Sequence, residues 1–97
     1  MLSLQDIKQN ILLVKPYISS KYNVDSLFIF GSYARQEQGE ESDIDILVDF
    51  KKIPDLLAFI ELEEFLSEKL QTQVDLVPKR KLKKQLRKDI LQEAIAI

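Results

Sequence analysis

The spacing of apolar residues along the chain switches between a helical and an alternating period, and each switch marks an element. Leu4, Ile7, Ile11, Val14 and Ile18 recur at three- and four-residue intervals, which predicts an amphipathic helix, with Ser3 and Asp6 spaced as a capping box at its start. Pro16 lies inside that stripe and is expected to kink the helix or end it early. Val24 to Phe30 is a short apolar run between Lys21-Tyr22-Asn23 and Gly31 and reads as a strand. Gln36 to Ser42 is polar and contains Gly39, which suits an exposed loop, and Asp43 to Phe50 then alternates as a second strand. Pro54-Asp55 opens a helix with a core stripe of Leu56, Phe59, Ile60, Leu66 and Leu70, leaving Glu61, Glu63, Glu64 and Glu68 mostly outside. Gln73 to Val77 forms a third strand ending at Pro78, and Leu82, Leu86, Ile90 and Ala94 mark a final helix. The order predicts an α/β (α+β) chain, a small mixed β-sheet with helices packed on one face and the other face open to solvent.

Composition narrows the class. With 97 residues, 45% apolar and 31% charged, and only two glycines and three prolines, residues 1–97 read as a single folded domain too short to hold a second catalytic one. Cysteine and histidine are both absent, which excludes disulfides, thiol nucleophiles, Ser/His/Asp triads and zinc ligation by those residues. Met1 to Asp6 lacks a basic stretch followed by an apolar run, and no apolar stretch is long enough to span a bilayer, so a cytoplasmic protein without membrane contact is expected. The net charge of −2 hides an asymmetry. Glu37 to Glu68 carries eleven acidic residues against two lysines, whereas Lys79 to Lys88 carries seven basic residues and no acid. The plain reading of the basic run is a solvated helix face. Its lack of an aromatic residue, together with the acidic chain around it, argues against nucleic acid as the partner.

The chemistry concentrates in Phe30-Gly31-Ser32-Tyr33-Ala34-Arg35 and, after a polar spacer, Ser42-Asp43-Ile44-Asp45. Alternation along a strand puts Asp43 and Asp45 on one face and Ile44, Ile46, Val48 and Phe50 on the other. Two carboxylates about 4 Å apart repel by roughly 4 kcal/mol at an effective dielectric near 20. A divalent cation removes that repulsion, and magnesium takes one or two protein carboxylates together with substrate phosphate and water. Gly31 lets the backbone approach a ligand, and a short helix starting near Ser32 would aim free amides at an anion, with the Ser32 hydroxyl as a further donor or as a simple helix cap. Arg35 fits either a surface ion pair or a triphosphate contact, and Ser42 fits a role in fixing the loop before Asp43. Asp49 continues the carboxylate face but lies beyond the pair and reads as solvated. The Walker phosphate-loop pattern is absent, since neither Gly31 nor Gly39 is followed by Lys-Ser or Lys-Thr.

Gly31-Ser32, ten residues, then Asp43-Ile44-Asp45 resembles the signature of the DNA polymerase β-like nucleotidyltransferases. Gly31-Ser32-Tyr33-Ala34-Arg35, Ser42-Asp43-Ile44-Asp45, Val74-Asp75-Leu76-Val77 and the ending Ile90-Leu91-Gln92-Glu93-Ala94-Ile95 are similar to the minimal (MNT) branch over nearly the whole chain. The resemblance implies the nucleotidyltransferase fold and a two-metal transfer with Mg2+ ions at Asp43, Asp45 and Asp75. Asp75 would bind the second ion and accept the proton of the attacking hydroxyl. Standing between Val74 and Leu76, Asp75 is expected to be a buried carboxylate in need of a partner. ATP is implied as donor, with Gly31, Ser32, Arg35 and Ser42 around it. A cognate HEPN-domain toxin is implied as partner, MNT antitoxins transferring AMP from ATP to a tyrosine hydroxyl of the toxin. The rivals are an antitoxin that neutralises its toxin by binding alone and a transferase acting on a small molecule such as an antibiotic. Two departures stand out. Gln36 occupies a position usually glycine, which should alter the loop after the short helix, and Tyr33 occupies one often basic, which should alter the grip on nucleotide or partner.

Overall fold

The computed structural model describes residues 2–97. The elements follow the order α1 (Leu4–Tyr22), β1 (Val24–Phe30), α2 (Gly31–Arg35), β2 (Ile44–Phe50), α3 (Leu56–Leu70), β3 (Val74–Pro78), a 3-10 turn at Lys79–Lys81, α4 (Lys84–Glu93) and β4 (Ile95–Ala96). The capping box forms as expected, with the Ser3 side chain accepting from Asp6 N and the Asp6 carboxylate accepting from Ser3 N, both at 3.1 Å. Pro16 does not interrupt α1. The carbonyl it cannot satisfy belongs to Leu12, and both residues lie on the exposed side of α1, where losing one helix bond costs least.

The strands lie in the order β3-β2-β1-β4, with β1 antiparallel to β2 and β4, and β2 parallel to β3. One face is covered by α1 and α3, and the core there is built from Ile7, Ile11 and Ile18, from Leu27, Ile29, Ile44, Ile46, Val48 and Val74, and from Leu62 and Leu66. The inward stripe of α3 is Leu62, Leu66 and Leu70, with Phe59 partly buried beside it. Leu56 and Ile60, expected inside, are 72% and 41% exposed. At 3.6 residues per turn they lie roughly 80° and 120° round the helix from the centre of that stripe. Beyond Glu93 the chain leaves the expected helix and Ile95 pairs with Ile29, giving β1 a short outer neighbour.

The second face is divided. Phe28, Leu47 and Val77 are neighbours across β1, β2 and β3. Leu47 is fully buried yet stands outside the main core; the 3-10 turn packs on β2, with Lys79 over the Phe28 ring, and α4 packs on β1 and α2. The other end, where Asp45 and Asp75 stand, stays open. Gln36 ends α2 in the left-handed region at φ 57, which explains why glycine suits that position. Gln36→Gly is therefore expected to raise stability by about 0.5–1 kcal/mol, measured by urea unfolding, the relieved strain exceeding the added chain entropy.

Candidate active site

The register of the parallel pair assembles the site. Asp45 and Asp75 are direct partners across β2 and β3, so their side chains leave the same face of the sheet on strands about 4.8 Å apart. Across the other edge of β2, Asp45 pairs with Phe30, and the next residue along is Gly31. Gly31 has φ +73, and a Cβ added there would overlap the Asp45 carboxylate and stand 3.0 Å from its Cγ. The missing side chain is what lets the carboxylate lie against the start of α2.

Burial of Asp45 pushes its pKa above the ordinary carboxylate value, with the charges of Asp75 and Asp43 adding to the rise and Arg35 opposing it. Asp45 thus feels both of the other aspartates. None of them takes part in an ion pair or side-chain hydrogen bond among the described residues. Asp43 lies just before β2 rather than inside it and is exposed. Asp75 is also exposed, which corrects the expectation of a buried carboxylate: β3 is an edge strand, and this face of it carries no covering helix at that point.

The donor chemistry fits divalent cations of the magnesium kind, since these are hard carboxylate oxygens whose charges disfavour one another at Asp45 and which no protein cation meets in an ion pair among the described residues. Among the described residues, no group of three or more acidic side chains is arranged to hold a metal ion by itself. The residues therefore provide part of a coordination sphere, which substrate phosphate and water would complete.

Two residues that support the site were not evident from the sequence. Ser67 Oγ accepts from Val74 N at 2.9 Å, and a Glu63 carboxylate oxygen accepts from Leu76 N at 2.9 Å. These bonds from α3 hold the free edge of β3 on either side of Asp75 and block that edge against further pairing. Glutamate at 63 had the look of a solvated helix residue; only the tertiary placement of α3 beside β3 gives it this work.

The remaining expected residues divide clearly. The N-cap of α2 is Phe30, which makes no side-chain cap bond, so Ser32 is not the cap and its hydroxyl makes no hydrogen bond among the described residues. Ser42 Oγ accepts from Gly39 N at 2.8 Å and so fixes the loop before Asp43. Arg35 donates to Glu37 and Glu93, each at 3.1 Å, tying α2 to α4, and the hydrogen bond it gives Glu37, followed by the one it gives Glu93, raises its pKa. Tyr33 is 3% exposed and packs in the core. Asp49 lines a pocket of about 270 Å³ with Lys79, Arg80 and Arg87, away from the other three aspartates.

A half-covered mixed sheet with paired carboxylates beside a Gly-Ser turn defines a nucleotidyltransferase. Residues 12–97 match the nucleotidyltransferase domain, and the chain belongs to that family of enzymes. It is 44% identical over 97 residues to the protein adenylyltransferase MntA of Thermococcus cleftensis, covering 100% of this chain and 98% of the relative. A solved minimal nucleotidyltransferase superimposes with a TM-score of 0.83 at 32% identity, covering 99% of this chain and 97% of the other. A toxin-antitoxin structure with AMP-PNP aligns with a TM-score of 0.75 at 28% identity, covering 94% of this chain and 71% of the other. No helix among the described residues is long and apolar enough to cross a membrane.

Proposed function

We propose that this nucleotidyltransferase is an antitoxin-type protein adenylyltransferase, moving AMP from ATP to a hydroxyl, in the first place a tyrosine, of a cognate HEPN toxin in the cytoplasm. The observation that carries the reading is the level pairing of Asp45 with Asp75 beside Gly31. The similarity to MntA and to a toxin-antitoxin structure containing AMP-PNP supports the donor and the kind of partner.

In the proposed reaction the acceptor oxygen bonds to the α-phosphorus, the α–β phosphoanhydride bond breaks and pyrophosphate leaves. Magnesium ions held by Asp43, Asp45 and Asp75 would supply charge neutralisation for the triphosphate. Asp75, exposed at the sheet edge, is open to an acceptor carried on another protein and takes the proton of the attacking hydroxyl. Gly31 admits the phosphates close to the backbone, and the free Ser32 hydroxyl donates to them. Ser42 acts indirectly by holding the loop that delivers Asp43. Arg35 reaches the triphosphate only by leaving Glu37 or Glu93.

Incubation with the cognate toxin and ATP is expected to add the mass of AMP to the toxin, read by intact-protein mass spectrometry. An unmodified toxin that is nonetheless neutralised would sink the catalytic reading. Arg35→Ala separates the two roles of that side chain. Its exposed ion pairs are worth less than about 1 kcal/mol to stability. A several-fold rise in the KM for ATP is the expected result, and an unchanged KM would reduce Arg35 to a link between α2 and α4.

A further inference from the structure

We propose that the apolar groove between the start of α3 and the end of β3 receives an acidic amphipathic helix presented by the partner protein. The groove has a volume of about 260 Å³ and is lined by Ile53, Leu56, Phe59 and Pro78, with Arg80 and Lys81 on its rim. Large side chains that the core does not use crowd this end of the molecule: Ile53 is 61% exposed, Leu56 72%, Leu57 80% and Ile60 41%. A cluster of that kind on a small chain marks a surface that is covered when the protein works.

Charge selects the occupant. Lys51 and Lys52 lead directly into Ile53, and Arg80 and Lys81 flank the groove from the other side. None of these four cations forms a salt bridge among the described residues, although the chain as a whole is acidic. The one carboxylate in the lining, Asp55, is occupied in capping α3 through Ala58 N at 2.8 Å. An apolar floor with an unneutralised basic rim complements a helix with an apolar stripe and glutamates or aspartates beside it. A nucleic acid would be served by the cations but not by the aliphatic floor.

The groove also lies apart from the chemistry. Phe50, in its lining, is five residues beyond Asp45 on β2, about 17 Å along the strand. A partner anchored there leaves the carboxylates free to meet a hydroxyl on another part of its surface. The inference rests on the proposed adenylyltransferase only in that the partner is taken to be the protein substrate.

The test is titration of the isotopically labelled full chain, without ATP, with a synthetic peptide of about 14 residues, four helical turns. The peptide carries leucines at i, i+3, i+4 and i+7 and glutamates between them. Saturable amide shifts at Ile53, Leu56, Phe59 and Arg80 are expected, and Leu56→Ser/Arg80→Ser, both at exposed positions, should weaken binding about tenfold. A peptide of the same composition in an order that destroys the stripe should leave the groove unshifted. The proposal is overturned if no shifts occur, if they fall elsewhere, if the reordered peptide binds equally, or if oligouridylate takes the groove instead. Asp43→Asn/Asp45→Asn should bind the peptide as the parent does. Failure of nucleotide transfer therefore leaves this result standing, and failure here leaves transfer standing.

Discussion

Asp45→Asn is expected to lower nucleotide transfer by about 10³-fold, the scale of losing one preorganised charge at a reacting centre. The fold should survive. Asp45 is the carboxylate that burial and its two neighbours disfavour most, so the neutral amide removes a repulsion and leaves the partly buried position filled. The sign of the pH dependence follows from the same shift. Because the folded-state pKa of Asp45 lies above its unfolded value, the folded chain binds the proton more tightly. In the metal-free parent Asp45 accordingly contributes stability that is present in the ordinary carboxylate range and lost as pH rises through the raised pKa, opposite in sign to the contributions of Asp6 and Glu61, whose pKa values are lowered. Asp45→Asn should lose that contribution, and magnesium should raise the melting temperature of the parent more than that of the variant. Thermal scans at several pH values with and without magnesium would show this, and a variant that transfers AMP at the parental rate would remove Asp45 from the chemistry.

Gly31→Ala is expected to act on both stability and activity. An alanine at φ +73 costs about 1 kcal/mol through backbone strain alone. Its Cβ would also meet the Asp45 carboxylate, and relieving that overlap by moving backbone or side chain adds about 1–3 kcal/mol. The cheaper adjustment swings Asp45 away from the start of α2. Transfer should then fall at least a hundredfold, since misplacement on the order of 1 Å already costs that much. Circular dichroism and urea unfolding would verify that the chain still folds. Near-parental transfer would show that the close approach of Gly31 to Asp45 does not matter for the reaction.

Much of the molecule was legible in the sequence because local signals and tertiary demands agree. The Ser3–Asp6 box, the Val24 to Phe30 run and the Ile44/Ile46/Val48 alternation each specify an element that burial then reinforces. What could not be read were features set by how elements meet. Leu56 and Leu62 are chemically alike, and only the rotation of α3 on the sheet decides that Leu62 goes inside. Leu47 belongs by alternation to the carboxylate face, yet it is fully buried, the 3-10 turn after β3 packing on its strand. Ala94 reads as one more helical position, yet the helix stops at Glu93 and the edge of β1 offers Ile95 a ladder. Asp43 and Asp45 were legible from spacing and Asp75 from the family resemblance, but the exposure of Asp75 depends on β3 being outermost, a matter of strand order to which a single sequence gives no access.

The parallel pairing of β2 and β3 makes the turn after α3 a timing device for the enzyme's evolution. Slipping β3 by one position against β2 would bring Val74 or Leu76 level with Asp45 and send Asp75 to the opposite side. Insertions just before Gly39, outside the Gly39–Ser42 bond that holds the approach to Asp43, merely lengthen a loop, whereas a single codon gained or lost at Gln71 to Gln73 would exchange a working enzyme for a greasy, misaligned sheet. Lineages of this fold should therefore vary freely in length at the first place and hardly at all at the second.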